Sequence, residues 1–178
     1  MWQEAFNRST RGHEVATGQR LYFCSRFGLL AAIDMAPIKV LFVCVHNSAR
    51  SQMAEAYLNH FGEGLFEAES AGLEPGILNP RVVQVMKEDG IDISGNRTKS
   101  VFDMFKRGGL YSFVVTVCDE TNAEKCPIFP GAAKRIHWSF ADPSSLSGTE
   151  AEKLERTREI RDEIKRRVKS WIDARGTD

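Results

Sequence analysis

Apolar residues are spread along this chain in short runs set between amphipathic stretches. IKVLFVC, residues 38 to 44, is apolar apart from one lysine, the pattern of a strand buried on both faces. In SQMAEAYLNHF, Met53, Ala54, Tyr57, Leu58 and Phe61 recur at helical spacing, and Gly62 closes the pattern. LFEAESAG, residues 65 to 72, alternates and reads as a second strand. Asn79 before Pro80 is an N-cap followed by proline at the first helical position. The helix predicted there buries Val82, Val83 and Met86 and stops at Gly90. A shorter helix runs from Ser100 to Arg107, closed by Gly108. SFVVTVC (112 to 118) and AKRIHWSF (133 to 140) are the third and fourth strands. Thr149 and Glu152 form a capping box. It opens a long charged helix that turns Ile160, Ile164, Val168 and Trp171 or Ile172 inward. The charges of its RDEIKRRVK stretch read as a solvated face with i,i+4 pairs.

Strands alternating with helices predict an α/β fold: a four-stranded parallel sheet with helices on both faces. Ligands of such sheets bind beyond the carboxyl ends of the strands, and Cys44 and Cys118 both stand at such ends. Residues 1 to 34 do not share the pattern. They lack a period of 2 or 3.6 and mix Arg, Ser, Thr and Gly with scattered aromatics. Their apolar piece FGLLAAI is short for a signal-peptide core. They are expected to be a poorly ordered N-terminal extension or the product of a start upstream of the natural one, and Cys24 is given no role. The domain is expected over residues 35 to 178.

Composition narrows the function. The 178 residues are 42% hydrophobic, which suits one domain with a substantial core. Lys+Arg and Asp+Glu balance at 24 each, which argues against nucleic-acid or anionic-membrane partners. No apolar run approaches the roughly eighteen residues needed to span a bilayer. An anion site would have to be local. The four cysteines are Cys24, Cys44, Cys118 and Cys126. In a chain of this size they need not form a structural disulfide framework, and buried inert thiols are the plain alternative to chemistry.

The stretch CVHNSARS, residues 44 to 51, offers that chemistry. The loop Val45, His46, Asn47, Ser48, Ala49 leads into a helix N-terminus, where unpaired amides and the helix dipole welcome an oxyanion. Successive amides in a tight curl make an anion nest, and Asn47 tolerates the left-handed conformation such a curl needs. Arg50 can close the ring with a planar fork matched to two oxygens of a tetrahedral anion. Cys44 lies beneath, with amides and dipole favouring its reactive thiolate and Ser51 adding a hydrogen bond. A cysteine five residues before an arginine is a weak signal alone. The strand before it, the serine after it and the helix that follows make it specific. Such a nucleophile under a bound oxyanion suits attack on phosphorus or arsenic.

Cys118 ends an apolar strand and could be core, but Cys126 sits in a polar, proline-flanked loop where packing does not explain it. Their spacing is longer than is usual for zinc ligands, which favours a redox pair over a metal site. Asp142-Pro143 reads equally well as a turn. Trp138 is expected to pack inward, and His46 to lie on the loop surface rather than to act as a catalyst.

VLFVCVHNSARSQMAEA resembles the phosphate-binding loop of the low-molecular-weight protein tyrosine phosphatase superfamily. SAG at 70 to 72, VVTVC at 114 to 118, CPIFPG at 126 to 131 and HWSFADP at 137 to 143 resemble its thioredoxin-coupled arsenate reductase branch. The resemblance runs from Ile38 to about Ile172 and leaves out the N-terminal extension. It implies Cys44 as nucleophile, Arg50 and the loop amides as oxyanion ligands, Ser51 as the hydroxyl that steadies the thiolate, and Asp142 as general acid. It implies Cys118 and Cys126 as resolving cysteines. The disulfide would pass from Cys44–Cys118 to Cys118–Cys126, with the polar segment DETNAEK rearranging to present it to a reductant. The activity implied is reduction of arsenate to arsenite, with phosphate or sulfate able to occupy the same loop. No bound cofactor or metal is expected. The reductant would be external, thioredoxin or glutaredoxin with glutathione, and the implied setting is a monomer in a reducing cytoplasm. His46 departs from the glycine frequent at its place in the superfamily. Some members carry an acidic residue in the segment around Lys99 and Ser100, near a potassium site; none stands at the matching place here, so no potassium is expected. Two other functions stay open at this point. A phosphatase would use Cys44, Arg50 and Asp142 alone, although DPSS lacks the aromatic that often follows Asp-Pro in that branch. A non-enzymatic oxyanion or redox sensor would use the Cys118–Cys126 segment to bind a partner.

Overall fold

A computed structural model describes residues 36 to 118 and 134 to 175. The elements run β1 (Ile38–Cys44), α1 (Arg50–Phe61), β2 (Phe66–Gly72), α2 (Pro80–Glu88), α3 (Val101–Lys106), β3 (Phe113–Thr116), β4 (Lys134–His137) and α4 (Glu150–Asp173). All strand pairings are parallel and the sheet order is β2-β1-β3-β4. The expected α/β fold, a four-stranded parallel sheet with helices on both faces, is the fold observed. The expected extension, residues 1 to 34, lies outside the described residues.

Central β1 explains both faces. Its alternate side chains Val40, Phe42 and Cys44 join α1, α2 and α4 in one core. Leu41 and Val43 point the other way, into a smaller cluster with Val101 and Met104 of α3, Tyr111 and Val114. A strand between two apolar layers has no polar side to show, hence its near-continuous apolar sequence. Edge strand β4 instead exposes Lys134 and Arg135, charges that discourage further strand pairing.

The helix ends follow their capping residues. Asn79 accepts from the Arg81 N–H at 3.0 Å, the usual second-position donor of an N-cap, and Pro80 at the first position has no N–H to leave unpaired. Thr149 and Glu152 form the expected reciprocal capping box. The buried stripe of α2 is Val82, Val85 and Met86 rather than Val82, Val83 and Met86. An i, i+3, i+4 stripe is narrow, and Val83 falls on its flank, partly buried against the core. Strands β3 and β4 are shorter than their apolar runs. Pairing stops at Thr116 and His137, yet Val117, Cys118, Trp138 and Phe140 beyond it are buried. Strand-to-strand hydrogen bonds extend one residue further, from Val117 N–H to Val43 O at 2.8 Å and from Trp138 N–H to Thr116 O at 2.9 Å; beyond that, apolarity reports burial.

Buried Tyr57 shows how α1 and α4 lock together. Its ring is fully enclosed, and its hydroxyl donates to Asp89 Oδ2 at 2.7 Å. Asp89 also accepts from Lys165 Nζ of α4 at 2.7 Å. Burial, and then the hydrogen bond to Asp89, push the Tyr57 hydroxyl well above its usual range.

Candidate active site

The carboxyl end of β1 delivers Cys44 into the turn that leads to α1. The thiol is 3% exposed. The carbonyls around the turn are taken by the segment after β2: Leu73 N–H donates to Cys44 O at 3.1 Å, Glu74 to Val45 O at 2.8 Å, Gly76 to His46 O at 2.9 Å and Asn79 to Ser48 O at 2.9 Å. In a trans peptide the C=O and the next N–H point in opposite directions. Carbonyls held outward therefore turn the amides of Val45, His46, Asn47 and Ala49 away from that segment. The Asn47 N–H shows where they go, donating to Cys44 Sγ at 3.1 Å. Asn47 supplies the reversal with φ at 52°.

This curl needs close approach. A Cβ on Gly72, the last residue of β2, would lie 2.8 Å from Asn47 N, 2.8 Å from Val45 O and 2.9 Å from His46 C. All three are backbone atoms with no rotamer to yield, so the SAG motif carries glycine there for the loop's sake. Helix α1 begins at Arg50 with no side-chain cap and no acidic residue in its first turn. Its N-terminal amides and dipole are left for an anion.

Ser51 is fully buried, with Oγ 3.0 Å from Cys44 Sγ. The Asn47 Nδ2 group donates to the same oxygen at 2.9 Å, which leaves the Ser51 hydrogen available to the sulfur. Asn47 Nδ2 also donates to Ser70 Oγ at 2.8 Å. Its Oδ1 accepts from Lys99 N–H at 2.8 Å and from Gln52 Nε2 at 3.3 Å. Both ends of this buried amide are thus engaged, and Asn47 holds β2, α1 and the segment before α3 around the thiol. Ser70 Oγ in turn donates to Glu55 Oε2, and Glu55 pairs with Lys99 Nζ at 3.2 Å. Burial raises the Glu55 carboxyl above its ordinary value, with Ser70 and Lys99 pulling against that rise.

Arg50 closes the site from the helix side. Only 7% exposed, it donates Nη1 to Phe140 O at 3.1 Å, and its Nη2 lies 3.3 Å from Asp142 Oδ2. Asp142 therefore comes to the Cys44 loop from the segment after β4, with its carboxylate partly exposed. His46 is exposed, with Nδ1 3.0 Å from Glu74 O, so it lies on the loop surface as expected. Trp138 packs inward.

Cys118 lies two residues past the last β1–β3 pair, Val43 with Thr116, and Cys44 one residue past it on the neighbouring strand. Both are buried thiols of the same core cluster. Cys126, expected as the second resolving cysteine, lies outside the described residues. Sequence reasoning missed the side chain of Asn47 as a hub, the Ser70–Glu55–Lys99 chain behind it and the steric role of Gly72. The signal in reach was the SAG motif, quoted above without a role.

A buried thiol under inward amides, a guanidinium fork and a facing carboxyl together suit nucleophilic attack on a tetrahedral oxyanion, with a proton for the leaving oxygen. The chain is similar to known proteins in sequence and in fold. The family model described as low molecular weight phosphotyrosine protein phosphatase matches residues 39–177. An arsenate reductase of Bacillus subtilis (strain 168) is 42% identical over 134 residues, covering 75% of this chain and 94% of that protein. A solved arsenate reductase in the phosphate binding state superposes with a TM-score of 0.63 at 31% identity, covering 77% of this chain and 98% of that one. A thioredoxin-dependent arsenate reductase of Corynebacterium glutamicum superposes with a TM-score of 0.53 at 28% identity, covering 75% and 63%.

Proposed function

The chain belongs to the low molecular weight phosphotyrosine protein phosphatase family, and within it we propose that it is an arsenate reductase that forms arsenite through a thiol relay. The observation that carries this reading is the second buried thiol, Cys118, two residues past the end of β3, the strand beside β1, and in the same core cluster as Cys44. A phosphatase built on Cys44, Arg50 and Asp142 has no use for it.

In the proposed reaction, arsenate enters the loop Val45 to Ala49 against the α1 N-terminus, and Arg50 forks onto two of its oxygens. The Cys44 thiolate, steadied by the Ser51 hydroxyl and the Asn47 N–H, attacks arsenic. Asp142 gives its proton to a departing oxygen, which leaves as water. Cys118, as thiolate, then attacks Cys44 Sγ. A sulfur–sulfur bond forms, the sulfur–arsenic bond breaks, and its electron pair stays on arsenic, which leaves as arsenite. Two thiols are oxidised by two electrons and arsenic is reduced by two. Cys126 displaces Cys44 from Cys118, and an external dithiol reduces the Cys118–Cys126 disulfide by exchange. A thioredoxin-type protein is the reductant this reading favours, supported by the thioredoxin-dependent relative, and the cycle requires a reducing compartment such as the cytoplasm.

The test is arsenate-dependent NADPH oxidation with thioredoxin and thioredoxin reductase, run beside Cys118→Ser and Cys126→Ser. Sustained turnover that collapses in both variants is the expected result. No arsenate-dependent disulfide in the reduced protein would sink the reductase and promote the phosphatase. Stoichiometric oxidation without turnover under any dithiol would favour a sensor.

A further inference from the structure

Two loops must meet for this chemistry: the Cys44 loop and the segment bearing Asp142. Arg50 bridges them through Phe140 O and Asp142 Oδ2, yet the same fork is needed for the oxyanion. A second bridge does not touch the anion. Asn79, 8% exposed, gives its backbone N–H to Ser48 O at 2.9 Å. Its side-chain Oδ1 is committed to the α2 cap, accepting from Arg81 N–H. That commitment orients the amide, so Nδ2 faces outward and donates to Ser144 Oγ at 3.3 Å. Ser144 in turn gives its N–H to Asp142 Oδ1 at 3.0 Å. Ser145 closes the turn, donating its N–H at 3.2 Å and its Oγ at 3.1 Å to Asp142 O, with buried Pro143 inside it.

We propose that Asn79 is a positioning residue: through Ser144 it holds the Asp142 carboxyl over the Cys44 loop while Arg50 engages the oxyanion. The N-cap of α2 and the tether are two ends of one amide, so the same residue that starts the helix joins the nucleophile's loop to the acid's loop. This rests on Asp142 being the general acid.

The test separates tether from cap. Asn79→Ser keeps a good N-cap but is too short to reach Ser144. Ser144→Ala removes the acceptor and leaves both the cap and its own N–H to Asp142. Both variants, their double variant, and each single variant combined with Asp142→Asn are followed in the reduced full-length chain. The readout is arsenate-dependent loss of two thiols in a single turnover across arsenate concentrations. Asp142→Asn is expected to slow the maximal rate about a hundredfold. Each tether variant should slow it about fivefold, as for one neutral hydrogen bond, with half-saturating arsenate unchanged within about twofold. The double variant should be no slower than the singles, and neither should slow Asp142→Asn further. Wild-type rates in both tether variants beside a slow Asp142→Asn would overturn the tether alone. So would losses that persist undiminished in the Asp142→Asn background. A wild-type rate in Asp142→Asn would overturn the acid assignment and the tether with it.

Discussion

The carboxylate of Asp142 stands 3.3 Å from the guanidinium of Arg50, which joins the segment after β4 to the first residue of α1. The same guanidinium holds Phe140 O with its other terminal nitrogen. Two acceptors at a fixed separation need a planar fork, which lysine lacks. Arg50→Lys is therefore expected to keep the fold and lower arsenate turnover by about a hundredfold. Steady-state kinetics with circular dichroism checks this; turnover within threefold of wild type would remove Arg50 from the proposed chemistry.

Ser51 and Cys44 offer a cleaner probe of the proposed nucleophile. Ser51→Ala removes one of the two described hydrogen bonds to the sulfur, the other being the Asn47 N–H. It also leaves one Asn47 amide hydrogen without its acceptor. Alkylation of Cys44 by iodoacetamide at pH 7 is expected to slow about fivefold. An unchanged rate would mean that the serine does not support the thiolate.

Gly72 predicts a steric result. An alanine Cβ would press on three backbone atoms of the Cys44 loop at 2.8 to 2.9 Å. The loop would have to shift, at a cost of about 2 kcal/mol. Gly72→Ala should lower the melting temperature by several degrees and raise the arsenate concentration needed for half-maximal rate by about tenfold or more. A wild-type response in both measurements would show the loop to be more compliant than its hydrogen bonds suggest.

The Glu55–Lys99 pair makes stability depend on pH. Burial already holds the Glu55 carboxyl above its usual value, against the pull of Ser70 and Lys99. Removing the ammonium in Lys99→Met should raise it further. A carboxyl raised in the folded state contributes stability that is present below its unfolded value and is lost as pH rises through its folded one. Lys99→Met should therefore be destabilised at pH 7.5 and recover toward wild type near pH 5. Urea unfolding at both values tests this, and a loss equal at both would refute it.

The opposite sign applies to Asp89. Burial pushes its carboxyl up, but Lys165, Tyr57 and Arg161 together outweigh burial and hold it below its ordinary value. The stability it contributes is present above the unfolded value, about 4, and is lost as pH falls through the lower folded one. The stability gap between wild type and Asp89→Asn should be full at pH 7 and close progressively below about pH 4. A gap that persists at pH 2 would mean that packing, not charge, is lost in the variant.

The reach of the sequence is clear from particular elements. The apolar run of β1, the proline after Asn79 and the Thr149–Glu152 box were legible because each acts within one turn or one strand. The geometry of CVHNSARS was legible because thiol, loop amides and arginine follow one another along one strand–turn–helix unit. Asp142 was ambiguous: Asp-Pro reads equally well as a turn, and only the resemblance singled it out. In the structure it is a turn, with Ser144 on its carboxylate, and it also faces Arg50.

Backbone preference and hydrophobic period act over a few residues, so they define the elements, their caps and the thiol-bearing loop wherever the rest of the chain goes. The partners of that loop are a different matter. Asn47 reaches Ser70 and the Lys99 N–H, Gly72 makes room for the curl, Cys118 arrives just past the end of the neighbouring strand β3, and Asn79 meets Ser144. Hydrogen bonds of about 3 Å between residues far apart in the chain depend on how the β2-β1-β3-β4 sheet and its helices pack. No local pattern encodes such a distance, and only the folded chain brings those atoms together.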